Sequence, residues 1–265
     1  MPNTSASELA EHTFANGQLA KILKVCDDTG YKNALSTVGL HGPVPTLLVI
    51  GGASYMTPES QAKLLQFFNS ALATLSEQRG ITVLDGGTDA GVIHMMGQAR
   101  HNISGQFNLV GVAPLDRVIF PIGEPRPPTA SDEDYPPVDL EPHHTHFFLV
   151  PGDNWGSESQ WLAEFSSVLA GHFPSMTLLI NGGQVSLKDL KLNLELGRQV
   201  TVVAGSGRLA DTVAATINGN PSADDDETIQ ILVDTYYPSQ LSVFDLLASS
   251  LDDLKAQLDT YFGGQ

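Results

Sequence analysis

Four times a short run of branched apolar residues ends at glycine: TLLVI before Gly51-Gly52, ITVLD before Gly86-Gly87, TLLIN before Gly182-Gly183, and VTVVA before Gly205-Ser206-Gly207. Unbroken apolar runs of this length suit strands buried on both faces, as in a parallel sheet covered by helices. Each run precedes a stretch that reads as a helix, so the four glycine turns fall on one edge of such a sheet. Glycine there allows a sharp turn and close approach to a bound group, and the first amides of the next helix attract anions. The pattern predicts a site for a phosphate-bearing ligand.

Between the runs the chain alternates in kind. A strand is expected at 18–25 and a helix at 29–40, followed by a strand at 46–50 and a helix opened by Thr57 as N-cap and Pro58 at its first position. Strands at 81–85 and 108–113 enclose a helix at 90–101. After residue 145 come strands at 146–150, 176–180 and 200–204, with helices at 157–171, 187–196 and 208–217, then a short helix, an edge strand LSVFD and a last helix. The fold class is α/β: Rossmann-like, a mostly parallel sheet with helices on both faces, in a single domain over residues 17–265. Residues 1–16 read as a poorly ordered N-terminus. Residues 114–143 carry many prolines and the acidic run SDEDYPP without apolar periodicity, a long loop insertion read either as a lid or as a tolerated excursion.

The formal charge is −17, from 30 acidic against 13 basic residues. That argues against nucleic acid and anionic membrane as partners, since both require clustered Lys and Arg. Cys26 is the one cysteine, which excludes an internal disulfide and fits a reducing, cytoplasmic setting. No apolar run approaches the roughly 20 residues that span a bilayer, and the first residues lack the pattern of a secretory signal. The expected partner is a small-molecule nucleotide, with no cofactor required and homo-oligomerisation left open.

Gly205-Ser206-Gly207-Arg208-Leu209-Ala210 follows the dinucleotide pattern G-x-G-x-x-A between a strand and a helix. The acid expected some 20 positions later should close the next strand, yet Asp224 to Glu227 lie in a polar loop, which disfavours an ordinary nicotinamide dehydrogenase. Arg208 reads as a phosphate-holding guanidinium, or else as a surface partner of Asp211. Asp85-Gly86-Gly87-Thr88 offers a second anion-binding turn, with a tight helix cap as the bland alternative. In Pro151-Gly152-Asp153-Asn154-Trp155-Gly156 the indole is placed to stack on a base, and Asp153 and Asn154 to hold ribose hydroxyls; a self-anchored turn fits equally. His144 and His146 share a strand face and are weak metal candidates, more often structural. Several large enzyme classes lose their motifs: no G-x-S-x-G, Walker lysine or H-E-x-x-H is present.

Taken in order, Val49-Ile50-Gly51-Gly52-Ala53, LDGGTDAGVIHMMGQA, VGVAP, HTHFFLV, LLINGG, VVAGSGRLADTVA and LSVFD resemble the SLOG superfamily. Within it they are similar to the LSDAT branch, which includes the cytosolic melastatin homology region of TRPM channels, here in what looks like the free-standing prokaryotic form. The resemblance implies a Rossmann-like ligand sensor binding a nucleotide or an NAD-derived ligand such as ADP-ribose. It implies ligand roles for Gly51, Gly52, Gly86, Gly87, Thr88, Gly182, Gly183, Gly207 and Arg208, and base stacking by Trp155. The channel forms often carry a basic residue on the next helix, where this chain has Gln160-Trp161-Leu162-Ala163. A second SLOG branch, the phosphoribohydrolases, carries P-G-G-x-G-T-x-x-E with a catalytic glutamate. Here Val185, Ser186 and Asp189 stand at the glycine, threonine and glutamate, so Asp189, with Asp153, is the candidate for N-glycosidic hydrolysis. A protein-interaction module without a small ligand is the third expectation.

Overall fold

In the computed structural model, which describes residues 7–119, 136–221 and 227–263, a nine-stranded sheet forms the spine. Its strands are β1 (Glu8–Thr13), β2 (Leu19–Lys24), β3 (Thr46–Gly51), β4 (Thr82–Asp85), β5 (Leu109–Pro114), β8 (His146–Val150), β9 (Ser175–Ile180), β10 (Gln199–Ala204) and β11 (Leu241–Asp245). Across the sheet they run β1-β2-β8-β5-β4-β3-β9-β10-β11, and every pairing is parallel except β1 with β2. The helices are α1 (Tyr31–Val38), α2 (Pro58–Phe67), α3 (Ala73–Arg79), α4 (Gly91–Asn102), α5 (Ser159–Ala170), α6 (Gln184–Glu195), α7 (Arg208–Ile217), α8 (Glu227–Tyr236) and α9 (Leu251–Gly263). None of the described helices is long and apolar enough to cross a membrane.

The apolar runs are buried on both faces, as continuous strand hydrophobicity requires. Leu48 and Ile50 of β3 face a core made with α1, α5, α6, α7 and α8, while Leu47 and Val49 face the opposite core with α2, α3, α4 and α9. Thr57 caps α2 as expected, its Oγ1 accepting the Ser60 N–H at 3.1 Å. The single helix expected from there is α2 and α3 joined by a π turn at Phe68–Leu72.

One expectation is corrected at the N-terminus. Residues 8–13 are not poorly ordered but form β1, whose ELAEHT alternates in exposure and pairs with β2 from Glu8↔Lys24 to Thr13↔Leu19. Six cross-strand pairs closed by a short turn suffice to order an edge strand of this kind; residues 1–6 lie outside the described residues. The 114–143 insertion is ordered at both ends, with a 3₁₀ turn at Leu115–Arg117 and the short parallel strands β6 (Val118–Ile119) and β7 (Val138–Asp139). The lid expectation falls on residues 120–135, outside the described residues.

Chain order reverses between β3 and β9. From β3 the chain moves outward through β4 and β5 to β8, then returns to place β9 on the other side of β3 and continues to β10 and β11. Diverging connections at such a switch point leave a crevice beyond the strand carboxyl ends. Close strand approach there demands glycine: a Cβ on Gly51, whose φ is 135°, would lie 1.8 Å from the Ile180 carbonyl oxygen.

Candidate functional site

The crevice is a cavity of about 530 Å³, within the range typical of small-molecule sites. The ends of β3 and β4 supply one wall with Gly51, Gly52, Ala53, Ser54, Gly86 and Thr88, continued by Ala90, Gly91 and Ile93 at the start of α4. The α5 and α6 side supplies Trp155, Glu158, Leu162, Val185, Ser186 and Asp189. Of the residues expected from sequence, Gly51, Gly52, Ala53, Gly86, Thr88, Trp155 and Asp189 therefore meet in one place.

Others do not reach the lining. Gly87 packs its backbone on Gly111, where a Cβ would meet the Gly111 Cα at 2.8 Å, and its N–H is bonded to Asp85 Oδ1. Asp153 and Asn154 bond each other at 2.7 Å, and the Asp153 carbonyl accepts from Arg117 Nε, the self-anchored alternative for this turn. Gly182, Gly183, Gly205, Ser206 and Gly207 lie outside the lining, and side chains bond the backbone of their two turns. Asn181 Nδ2 donates to the carbonyls of Ser54 and Ser206, Ser206 Oγ accepts the Asn181 N–H, and Ser60 Oγ donates to the Gly205 carbonyl. The Gly205 and Ser206 carbonyls of the G-x-G-x-x-A pattern are thus held by side chains of the fold.

Arg208 opens α7 with a left-handed backbone (φ 48°) and is exposed, its guanidinium lying over Gly183. Asp211, its expected surface partner, instead accepts the Gly205 N–H at 2.7 Å. Arg208 stands beside the cavity at the α6 N-terminus, outside the lining.

Two carboxyl groups define the chemistry of the α5–α6 wall, Glu158 and Asp189, each 8% exposed. Burial pushes Glu158 up to about 7, reinforced by Asp189, although its Oε2 accepts the Gly156 N–H at 2.7 Å. Burial likewise pushes Asp189 up to about 6, against the opposing effects of Ser159 and Lys188. Ser159 faces Asp189, yet neither Ser159 Oγ nor Asp189 Oδ1 completes a hydrogen bond of normal geometry among the described residues. Lys188 turns its ammonium to the Gly156 carbonyl. Sequence reasoning missed Glu158 because Ser157-Glu158-Ser159 ahead of an apolar helix reads as an ordinary helix start.

Below the Gly86-Gly87 turn lies a fully buried relay. Asp85 Oδ1 accepts from His144 Nε2 at 2.9 Å, His144 Nδ1 meets Glu141 Oε2 at 2.8 Å, and Glu141 Oε1 meets His143 Nδ1 at 2.6 Å. Burial favours a neutral His144, but the flanking carboxylates outweigh it and hold its pKa at about 9. Both ring nitrogens are then occupied N–H donors, so His144 is no metal ligand. His146 bonds Thr145 Oγ1, and burial next to Lys21 lowers its pKa to about 4. The two histidines share no ligand site, because His144 lies ahead of β8 and turns into the relay. Asp89, His94 and Glu141 do converge within 4.8 Å. Both Glu141 oxygens are engaged by His143 and His144 and Asp89 is bonded to His94, so this group is a hydrogen-bonded cluster.

Comparison with known proteins agrees with this architecture. The family model described as SLOG in TRPM, prokaryote, matches residues 44–254. The mouse (Mus musculus) transient receptor potential cation channel subfamily M member 2 is 23% identical over 246 residues, covering 81% of this chain and 16% of the channel. Its rat (Rattus norvegicus) counterpart is 22% identical over the same shares. The chain thus spans less than a fifth of the length of these channels. Among solved structures, TM1055 superposes with a TM-score of 0.50 at 15% identity, covering 82% of this chain and 99% of that one. A molybdenum cofactor binding protein from Rippkaea orientalis superposes with a TM-score of 0.49 at 15% identity, over 82% and 96% of the two chains. The first of these likenesses speaks to the fold alone.

Proposed function

The chain belongs to the prokaryotic SLOG-in-TRPM family, and from that premise we propose that it binds a nucleotide or an NAD-derived ligand such as ADP-ribose in the switch-point cavity. The observation that carries this reading is the convergence of strand-end backbone at Gly51–Ala53 and Gly86, the first residues of α4, and an indole on one cavity of about 530 Å³. Amides at strand ends and at a helix N-terminus receive a phosphate, and Trp155 offers a flat apolar face to a base. Arg208 is the cation available to a second phosphate that leaves the cavity over Gly183.

The test is a thermal-shift comparison of ADP-ribose, NAD and AMP against buffer, since a ligand of the folded state alone raises the midpoint according to its concentration over Kd. A dose-dependent rise with at least one of them is expected. No rise with any of the three would leave the protein-interaction reading in its place.

A specific observation also favours hydrolysis as a second reading. Asp189 stands where the phosphoribohydrolase pattern has its acid, lies on the cavity lining and has a raised pKa, the condition of a general acid near neutrality. It predicts release of free base or ribose from a nucleotide, followed chromatographically, and loss of that release in Asp189→Asn.

A further inference from the structure

The two walls of the cavity differ in a way that assigns parts of the ligand to each. The strand-end wall, with Gly51, Gly52, Ala53, Ser54, Gly86 and Thr88, carries no acidic residue on the lining. The facing wall presents Glu158 and Asp189, both more than nine-tenths buried, and neither makes an ion pair among the described residues. The one lysine beside them, Lys188, points its ammonium at the Gly156 carbonyl. A phosphate placed against this wall would meet buried acidic groups, whereas a hydroxyl would meet carboxyl groups able to hydrogen-bond it.

Buried polar atoms without partners are costly, on the order of 1–3 kcal/mol each, and native structures seldom leave them unfilled. Asp189 Oδ1 and Ser159 Oγ face each other inside this wall without completing a hydrogen bond of normal geometry. Glu158 holds one carboxyl oxygen on the Gly156 amide and lines the cavity. We propose that Glu158 and Asp189, with Ser159 behind them, form a sugar subsite that takes the vicinal hydroxyls of a ribosyl group and so sets the ligand with its phosphate on the strand-end wall. This rests on reading the cavity as a nucleotide site. Burial keeps the pair partly protonated near neutrality, so a carboxylic acid donor and a carboxylate acceptor are both present for a diol, which has both kinds of group.

The subsite is a matter of hydroxyl recognition, and its test is discrimination between sugars. AMP and ADP-ribose are each titrated calorimetrically against counterparts lacking one ribose hydroxyl, into the wild type, Glu158→Gln and Asp189→Asn. The wild type is expected to favour the hydroxylated nucleotide by roughly 10- to 100-fold, as a site built around a hydroxyl rejects the analogue without it. Each amide variant, equal in size to the residue it replaces, is expected to lose most of that preference while binding the deoxy ligand within about twofold of wild type. Equal wild-type affinity for hydroxylated and deoxy ligands overturns the subsite and leaves nucleotide binding standing; so does an equal loss of both ligands in the variants. Failure of both parent nucleotides to bind overturns the ligand reading and the subsite with it.

Discussion

His144 shows how much a single side chain does under this site. It bonds Asp85 Oδ1 and Glu141 Oε2 at zero exposure, so His144→Leu leaves two buried carboxylates without their cation. Removing one partner from a buried charged network costs about 3–5 kcal/mol, and urea unfolding of the variant measures it. The same residue sets an alkaline limit. Its folded pKa of about 9 lies above the 6.5 of a free imidazole. The stabilisation is therefore complete below pH 6.5 and is lost as pH rises through 9, so the wild-type Tm should fall over that interval and the variant's should fall less. Residues whose role is local were legible in the sequence: Thr57 caps its helix, and Trp155 and Thr88 face the cavity. His144 was not, because its partner Asp85 is 59 positions away and the pair exists only through strand order.

At the scale of elements, strand ends and helix starts carry the design. Alternation, apolar runs and turn glycines place β3, β4, α4, α5 and α6 within a few residues, but not β7, whose Val138 lines the cavity from a stretch read as loop. What those signals omit is which way each turn faces. The Gly205–Arg208 turn matched a phosphate pattern, but Ser60, Asn181 and Asp211 hold its backbone in the packing between β9 and β10. Gly51 illustrates the tightest junction: Gly51→Ala would drive a methyl into the Ile180 carbonyl at a left-handed φ. A loss of more than about 2 kcal/mol is expected in chemical denaturation, since a shift of backbone against backbone is required. The α5–α6 wall carries a pH signature separate from that of His144. Glu158 and Asp189 have folded pKa values of about 7 and about 6, above those of free carboxyls. Their protonated forms suit burial, so their contribution to stability is greatest below about pH 4 and declines as pH rises through 6 to 7. In Asp189→Asn that decline should shrink, and the Tm at pH 8 should rise.

For the whole molecule, charge and topology act together. A net charge of −17 surrounds a site proposed for an anionic ligand. Like-charge repulsion slows encounter, and salt screens it over about 10 Å at 0.1 M. Association of ADP-ribose measured by stopped flow should therefore quicken between 20 and 500 mM salt, the reverse of a cationic nucleotide-binding surface. The composition announced that field and the alternation of apolar runs with helices announced the parallel sheet, but not the placing of β9 beside β3, which no local pattern encodes.

That placing bears on how the protein is made. Thr46 lies beside Ser175, so two strands separated by more than a hundred residues must meet before the cavity has a second wall. The strands β3 and β4 are made early, whereas the α5 and α6 wall is the last of the cavity lining to be synthesised. A growing chain that stops short of Asp189 lacks one wall of the cavity, so the pocket exists only after two distant stretches of chain have met.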